Sequence, residues 1–101
     1  MNTDLLDPIH PGKVLLEEFL KPLGISQRGF ARTIHVPANR VNDIVLGRRG
    51  ITGDTALRFS EALGTSPEFW IGLQADYELD MARIESLQKK KLKITPIVSP
   101  S

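Results

Sequence analysis

The stretch SQRGFARTIHVPANRVNDIVLG, residues 26–47, contains two short helical patterns with a tight break between them. The first pattern runs from Gln27 to Ile34. Pro37 opens the second, which ends at Val45. Because only His35-Val36 separates the two patterns, the two helices must pack directly against each other.

The inward positions of this helix pair carry suitable side chains. Ala31 is small enough for close helix contact, and Val36 supplies an apolar residue after the break. Val41 and Ile44 lie about one turn apart on the second helix and can face the core. This arrangement predicts a helix-turn-helix over about residues 26–45, whose second helix would lie in the major groove of DNA.

A longer helix is predicted upstream of the pair. Pro11 suits its first position, where the N–H that proline lacks would have no partner. Apolar residues then recur at helical spacing as far as Leu20. The sequence Lys21-Pro22-Leu23-Gly24 is expected to stop this helix, because a proline disfavours the helical conformation in the residue before it.

Two further helices are predicted downstream. Thr52 caps the fourth helix, and Gly64 suits the position directly after its end. Ser66-Pro67-Glu68 combines a cap, a proline and an acid, which marks the start of a fifth helix over about residues 67–88. We expect the core-facing residues of the fourth helix to be Ala56, Leu57, Ala62 and Leu63.

Length and composition fit one small domain. The chain has 101 residues, of which 41% are hydrophobic and 25% charged. We expect an all-α fold of five helices over residues 1–88, followed by a mobile basic tail over residues 89–101. The lysines of this tail could contact DNA, bind an acidic partner or only keep it solvated; they are Lys89, Lys90, Lys91 and Lys93.

Charge is unevenly distributed, although the net charge is only +1. Residues 26–50 carry five arginines against Asp43 alone, whereas residues 51–88 carry seven carboxylates against two arginines. A basic block within an otherwise acidic domain is a candidate phosphate-facing surface. Taken alone, the pattern fits a solvated arginine-rich face equally well.

Several functional classes are disfavoured. The absence of cysteine removes thiolate nucleophiles, disulfides and sulfur-ligated zinc. His10 and His35 have no acid and nucleophile at a recognisable spacing, and no phosphate loop or metal-ligand motif is present. We expect no catalytic residues, no metal and no cofactor. Without an apolar run near 20 residues or a visible signal peptide, we expect a cytoplasmic protein that does not bind membranes.

Short motifs outside the helix pair are more specific. Gly64-Thr65-Ser66-Pro67-Glu68-Phe69-Trp70 is followed by Leu73-Gln74, and His10-Pro11-Gly12 precedes the first helix. Over about residues 8–82 the chain resembles the Cro/C1-type (Xre-type, lambda-repressor-like) helix-turn-helix family, and within it the HigA/VapI-type antitoxins. His35 departs from the family pattern, since this turn position usually holds glycine.

This resemblance implies a sequence-specific DNA-binding antitoxin of a HigB/HigA-type toxin-antitoxin module. Such a protein neutralises a small HigB-type ribonuclease toxin and represses its own operon. It acts as a homodimer that places two recognition helices about 34 Å apart on a palindromic operator of double-stranded DNA, and it is associated with the nucleoid when bound. A stand-alone Xre-type transcriptional repressor without a toxin, and an interaction module without DNA binding, remain alternatives.

The expected DNA-contacting residues come from the helix pair and the loop after it. Asparagine can pair with adenine and arginine with guanine, each through two hydrogen bonds, so Asn39 and Arg40 are candidates for base contact. Phosphate contact alone is the alternative for Arg40, and a solvated face is the alternative for Arg28. The full set is Gln27, Arg28, Ala38, Asn39, Arg40, Asn42, Arg48 and Arg49.

Large side chains recur at helical spacing along the predicted fifth helix. In so acidic a region, base stacking is disfavoured, and the alternatives are core packing or a dimer contact. We expect dimerisation through Trp70, Leu73, Tyr77 and Met81.

Overall fold

A computed structural model describes residues 7–89 and 94–98, and these residues form five helices without a strand. The first, α1, consists of three consecutive segments, Pro11–Val14, Leu15–Leu20 and Lys21–Leu23. The others are α2 (Gln27–Thr33), α3 (Ala38–Val45), α4 (Gly53–Leu63) and α5 (Pro67–Lys89). The expected all-α fold with a helix-turn-helix is confirmed.

The chain end is only partly described. Residues 94–98 are exposed and have no regular structure. The rest of the predicted tail, with Lys90, Lys91 and Lys93, lies outside the described residues. Among the described helices, none combines the length and apolar character needed to cross a membrane.

α1 ends within the predicted stretch of residues 21–24, but Pro22 is not what ends it, because Lys21 before this proline is helical. The middle segment of α1, Leu15–Leu20, is π-helical, and the N–H of Lys21 donates to the carbonyl of Leu16, five residues back. In a regular α-helix the proline ring would clash with the carbonyl four residues back, and the wider π turn relieves this clash. The helix therefore ends only at Gly24, whose φ of 67° is left-handed.

The starts of the later helices are set mainly by side-chain caps. The hydroxyls of Ser26, Thr52 and Ser66 each accept a hydrogen bond from the backbone N–H three residues on, at 2.9, 3.2 and 3.0 Å. Only α3 differs from expectation, because Pro37 is its N-cap residue and the helix begins at Ala38.

Aromatic rings from four helices form the centre of the core. The fully buried ring of Trp70 packs edge-on against Phe59, with 5.0 Å between centroids. Phe59 in turn meets Phe30 at 5.3 Å, and Phe19 meets Trp70 at 5.4 Å. The core thereby joins α1, α2, α4 and α5. The other buried apolar residues are Leu15, Leu20, Ala31, Ile34, Val41, Ile44, Ile51 and Ala56.

The buried face of α4 differs from the predicted one. Ala56 and Phe59 are fully buried, whereas Leu57 is 55% exposed and Ala62 is also exposed. Residues three apart share a helix face, while adjacent residues lie about 100° apart, so burial of Ala56 and Phe59 turns Leu57 outward.

Candidate nucleic-acid interface

The turn between α2 and α3 is tight and hydrogen-bonded. His35 has a left-handed backbone with φ of 61°. The N–H of Val36 donates to the carbonyl of Ala31 at 3.0 Å, and that of His35 to the carbonyl of Arg32 at 3.2 Å. Ala31 is only 1% exposed, in agreement with the predicted close contact between the two helices.

α3 has one buried and one exposed face. Val41 and Ile44 are fully buried and hold the helix on the core. Asn39 and Asn42 lie on the exposed face, and Arg40 is half-buried at its side. An exposed, polar N-terminal half is what a helix needs in order to read base edges in the major groove.

The predicted DNA-contacting residues come from α2, α3 and the loop after α3. Gln27 and Arg40 are half-buried, and the others are exposed: Arg28, Ala38, Asn39, Asn42, Arg48 and Arg49. Within residues 7–89 and 94–98, the four arginines of this set make no side-chain hydrogen bond and no ion pair. Their guanidinium groups are therefore available to phosphate or base acceptors.

The loop after α3 holds its two arginines on a fixed backbone. The N–H groups of Arg48 and Arg49 both donate to the carbonyl of Asp43, at 2.8 and 3.2 Å. Further on, the N–H of Ile51 donates to Oε1 of Gln74 in α5 at 2.8 Å. The loop is thus anchored at one end to α3 and at the other to α5.

The start of α1 packs against the end of α3. A Cβ atom on Gly12 would lie 1.8 Å from the carbonyl oxygen of Ile44, so this approach requires glycine. His10 caps α1 through Nδ1, which accepts from the N–H of Gly12 at 2.9 Å. Burial lowers the pKa of His10 and so favours the neutral ring that can accept this bond.

The residues predicted for dimerisation separate into core and surface. Trp70 is 0% exposed, and its Nε1 donates to the Thr65 hydroxyl at 2.7 Å, so it belongs to the core of a single chain and cannot form a dimer surface. Leu73 and Tyr77 are half-buried, and Met81 is 42% exposed. The prediction was wrong for Trp70 because apolar spacing alone does not show where the domain core ends along a long helix.

Sequence reasoning assigned no role to three residues near this surface. Leu46 follows Asn42 at helical spacing and is 54% exposed, so it adds apolar surface at the end of α3. The same spacing rule could have found it. Gln74 and Arg58 act on backbone groups 23 and 24 residues away, and no local pattern indicates such contacts.

Comparison with known proteins places this geometry in a family. A family model described as Helix-turn-helix matches residues 16–70. Virulence-associated protein I of Dichelobacter nodosus is 47% identical over 74 residues, which are 73% of this chain and 68% of that protein. Antitoxin HigA-1 of Vibrio cholerae is 35% identical over 72 residues, 71% of this chain and 68% of that protein.

A solved structure extends the agreement to nearly the whole fold. The structure of Pseudomonas aeruginosa antitoxin HigA with the higBA promoter is 41% identical in sequence and has a TM-score of 0.83. The alignment covers 90% of this chain and 99% of that one. The helix pair, the fold around it and these relatives agree, and the chain belongs to the Cro/C1-type helix-turn-helix family, among its non-enzymatic HigA/VapI-type antitoxins.

Proposed function

We propose that this protein is a sequence-specific DNA-binding antitoxin that represses its own operon. The observation that carries the proposal is the exposed polar face of α3, flanked by arginines that have no partner among the described residues. The Pseudomonas relative, whose structure contains the higBA promoter, supports it.

The predicted residues divide into two kinds of contact. Arg28, Arg48 and Arg49 bind phosphates and fix the position of the protein on the duplex. Asn39 and Arg40 read base edges. Of the remaining residues, Asn42 contacts a base or a phosphate, Gln27 contacts the edge of the site, and the small side chain of Ala38 allows α3 to approach the groove closely.

A homodimer would supply two such surfaces. Leu73, Tyr77 and Met81 form the proposed dimer contact on α5, without Trp70. Two-fold symmetry then places the recognition helices about 34 Å apart, which requires a palindromic operator. Residues 1–88 would form the DNA-binding domain and residues 89–101 a basic flexible tail.

The proposed protein partner is a small ribonuclease toxin of HigB type. The relatives with antitoxin names support this assignment, among them antitoxin HigA-1 of Vibrio cholerae. Repression of an operon that encodes both proteins places the complex in the cytoplasm, at the nucleoid.

The decisive experiment compares a duplex from the region upstream of the gene with a shuffled duplex. At about 150 mM salt, non-specific binding is weak, with a Kd of about 10⁻⁴–10⁻⁶ M. We expect clear preference for the native duplex, with a slope of log affinity against log salt near −9 if a dimer makes about ten phosphate contacts. Equal weak binding to both duplexes would contradict repression by the free protein.

The toxin role is tested separately, by co-expressing the neighbouring reading frame with and without this chain. We expect growth arrest by the neighbour alone, rescue by this chain, and co-purification of the two proteins. Absence of any toxic neighbour, together with intact operator binding, would leave a stand-alone repressor.

A further inference from the structure

Gln74 connects α5 to the loop that carries Arg48 and Arg49. Its side chain is buried, with 9% of the residue exposed, and its Oε1 accepts the N–H of Ile51 at 2.8 Å. Ile51 is itself 5% exposed. A buried backbone N–H has no water as an alternative partner, so loss of this acceptor would leave it unsatisfied or move the loop.

The neighbouring glycine shows how closely the loop lies on this side chain. A Cβ atom on Gly50 would come within 2.8 to 2.9 Å of the amide atoms of Gln74. The backbone of the loop therefore rests directly on the amide group, and the position of that group sets the position of the loop.

Glu78 determines the orientation of the amide. Nε2 of Gln74 donates to Oε2 of Glu78 at 2.9 Å, one turn along α5. If the amide were flipped, its NH₂ group would face the N–H of Ile51 and its oxygen would face the carboxylate, which places two donors and two acceptors opposite each other. Only one orientation satisfies both contacts.

We propose that Gln74 is a positioning residue for DNA binding, which holds the loop of residues 47–52 so that Arg48 and Arg49 meet the phosphates, with Glu78 fixing its amide. The inference rests on the proposed function, since it assigns a role within the same DNA-binding surface. Gln74 itself does not touch DNA in this proposal, and it lies on α5, the helix proposed for dimerisation.

Swapping the amide of Gln74 and the carboxylate of Glu78 tests the proposal. Gln74→Glu retains an acceptor for Ile51 but brings two carboxylates together, so we expect operator affinity to fall about tenfold. The slope of log affinity against log salt should become shallower, because fewer phosphates are neutralised. The double variant Gln74→Glu with Glu78→Gln restores a donor and an acceptor and should recover both values. Gln88→Glu, which adds an exposed carboxylate to α5, controls for the change in net charge.

A second variant disturbs the same contact through a residue of the loop itself. Gly50→Ala would push the loop away from Gln74 and should lower operator affinity in the same way. Gly53→Ala is the matched control, because a Cβ atom there meets nothing within 4 Å. Thermal unfolding of each variant establishes that it remains folded at the assay temperature.

A double-mutant cycle separates positioning from a general loss of structure. In a background of Arg48→Ala and Arg49→Ala, Gln74→Glu should cause no further loss of affinity if it acts through these arginines. The same fold-loss in both backgrounds would overturn the proposal.

Hydrogen exchange at the Ile51 amide distinguishes failure of this inference from failure of the proposed function. Hydrogen exchange at this amide should be faster in Gln74→Glu and should return to the wild-type rate in the double variant Gln74→Glu with Glu78→Gln. This result is expected whether or not the protein binds its upstream DNA. Unchanged exchange and affinity would overturn the inference alone, whereas a wild-type protein without preference for its own upstream duplex would overturn the function.

Discussion

Nη1 of Arg58 donates to the carbonyl oxygen of Ile34 at 2.7 Å, so a side chain from α4 closes the C-terminal end of α2. Nε of the same guanidinium donates to Oδ2 of Asp54 at 2.9 Å. A cation at a helix C-terminus is favourable because the last carbonyls of a helix lack partners and carry partial negative charge. The turn that orients α3 is therefore held by a residue outside the helix pair.

Removal of this guanidinium should destabilise the domain. We expect Arg58→Ala to lower the free energy of unfolding by about 1.5–3 kcal/mol, the range for loss of a hydrogen bond to a charged group. Asp54→Asn should cost only about 0.3–0.5 kcal/mol, because that ion pair is exposed. Urea denaturation measures both values. Arg83→Ala, which breaks an exposed pair with Asp80, is the control, and an equal effect there would contradict the role of Arg58.

Substitution of His35 by glycine, in contrast, should stabilise the domain. A left-handed conformation costs a non-glycine residue about 1–2 kcal/mol, and glycine loses about 0.5–1 kcal/mol more than other residues in chain entropy on folding. His35→Gly should therefore raise the free energy of unfolding by about 0.5 kcal/mol. Gly24→Ala should lower it, since Gly24 also has a left-handed backbone at φ of 67° and open space around it. A lower unfolding free energy for His35→Gly would show that its side chain contributes more than the strain costs.

Stability should fall as His10 becomes protonated. Its Nδ1 must be unprotonated to accept the N–H of Gly12, and burial lowers the pKa of the folded state below the ordinary histidine value of 6.5. The unfolded chain therefore binds the proton first, so this contribution to stability is fully present above 6.5 and is lost as pH falls through the folded-state pKa.

The measurement is the free energy of unfolding between about pH 7.5 and about pH 5.5, above the titration range of most carboxylates. His10→Asn retains an N-cap acceptor that does not titrate, and should flatten the curve in this range. His35 is present in both proteins and does not affect the comparison. An unchanged slope in His10→Asn would exclude His10 as the titrating group.

Local signals predicted much of this fold. The hydroxyl caps at Thr52 and Ser66, the left-handed Gly64 and the buried Val41 and Ile44 all follow from residue types at short spacing. The exposed residues of α3 follow from the same periodicity, because burial of one helix face defines the other.

Tertiary packing decided what the sequence could not predict. Pro22 lies within α1 because a π turn precedes it, and Phe59 is buried because Trp70 and Phe30 contact its ring. The contacts of Gln74 and Arg58 join residues more than 20 positions apart. Such contacts depend on how whole helices are placed, which no short pattern encodes.

The proposed dimer contact can be tested with two variants of one helix. Met81 is 42% exposed and Leu79 is 50% exposed, and two positions along a helix turn a side chain by about 200°. Met81→Glu would bury a charge in the proposed contact, so we expect the Kd of the dimer to rise at least about tenfold. Analytical ultracentrifugation measures this constant, and Leu79→Glu should leave it unchanged. If only Leu79→Glu weakened the dimer, the contact would lie on the opposite face of α5.

Arg40 and Arg48 should differ in how their loss affects DNA binding. Arg40 lies beside the exposed face of α3, where its guanidinium can reach a guanine, whereas Arg48 lies in the loop after α3. Arg40→Ala should cost about 1–3 kcal/mol on the operator and relax the preference at one base pair in each half-site.

Arg48→Ala should weaken binding equally on all sequences and make the salt slope shallower by about 1 for each phosphate that the variant no longer neutralises. Both variants are titrated against the native operator, a set of single base-pair variants and a shuffled duplex. If the loss in Arg40→Ala were the same on every duplex, Arg40 would contact only phosphate, and base reading would fall to Asn39 and Asn42.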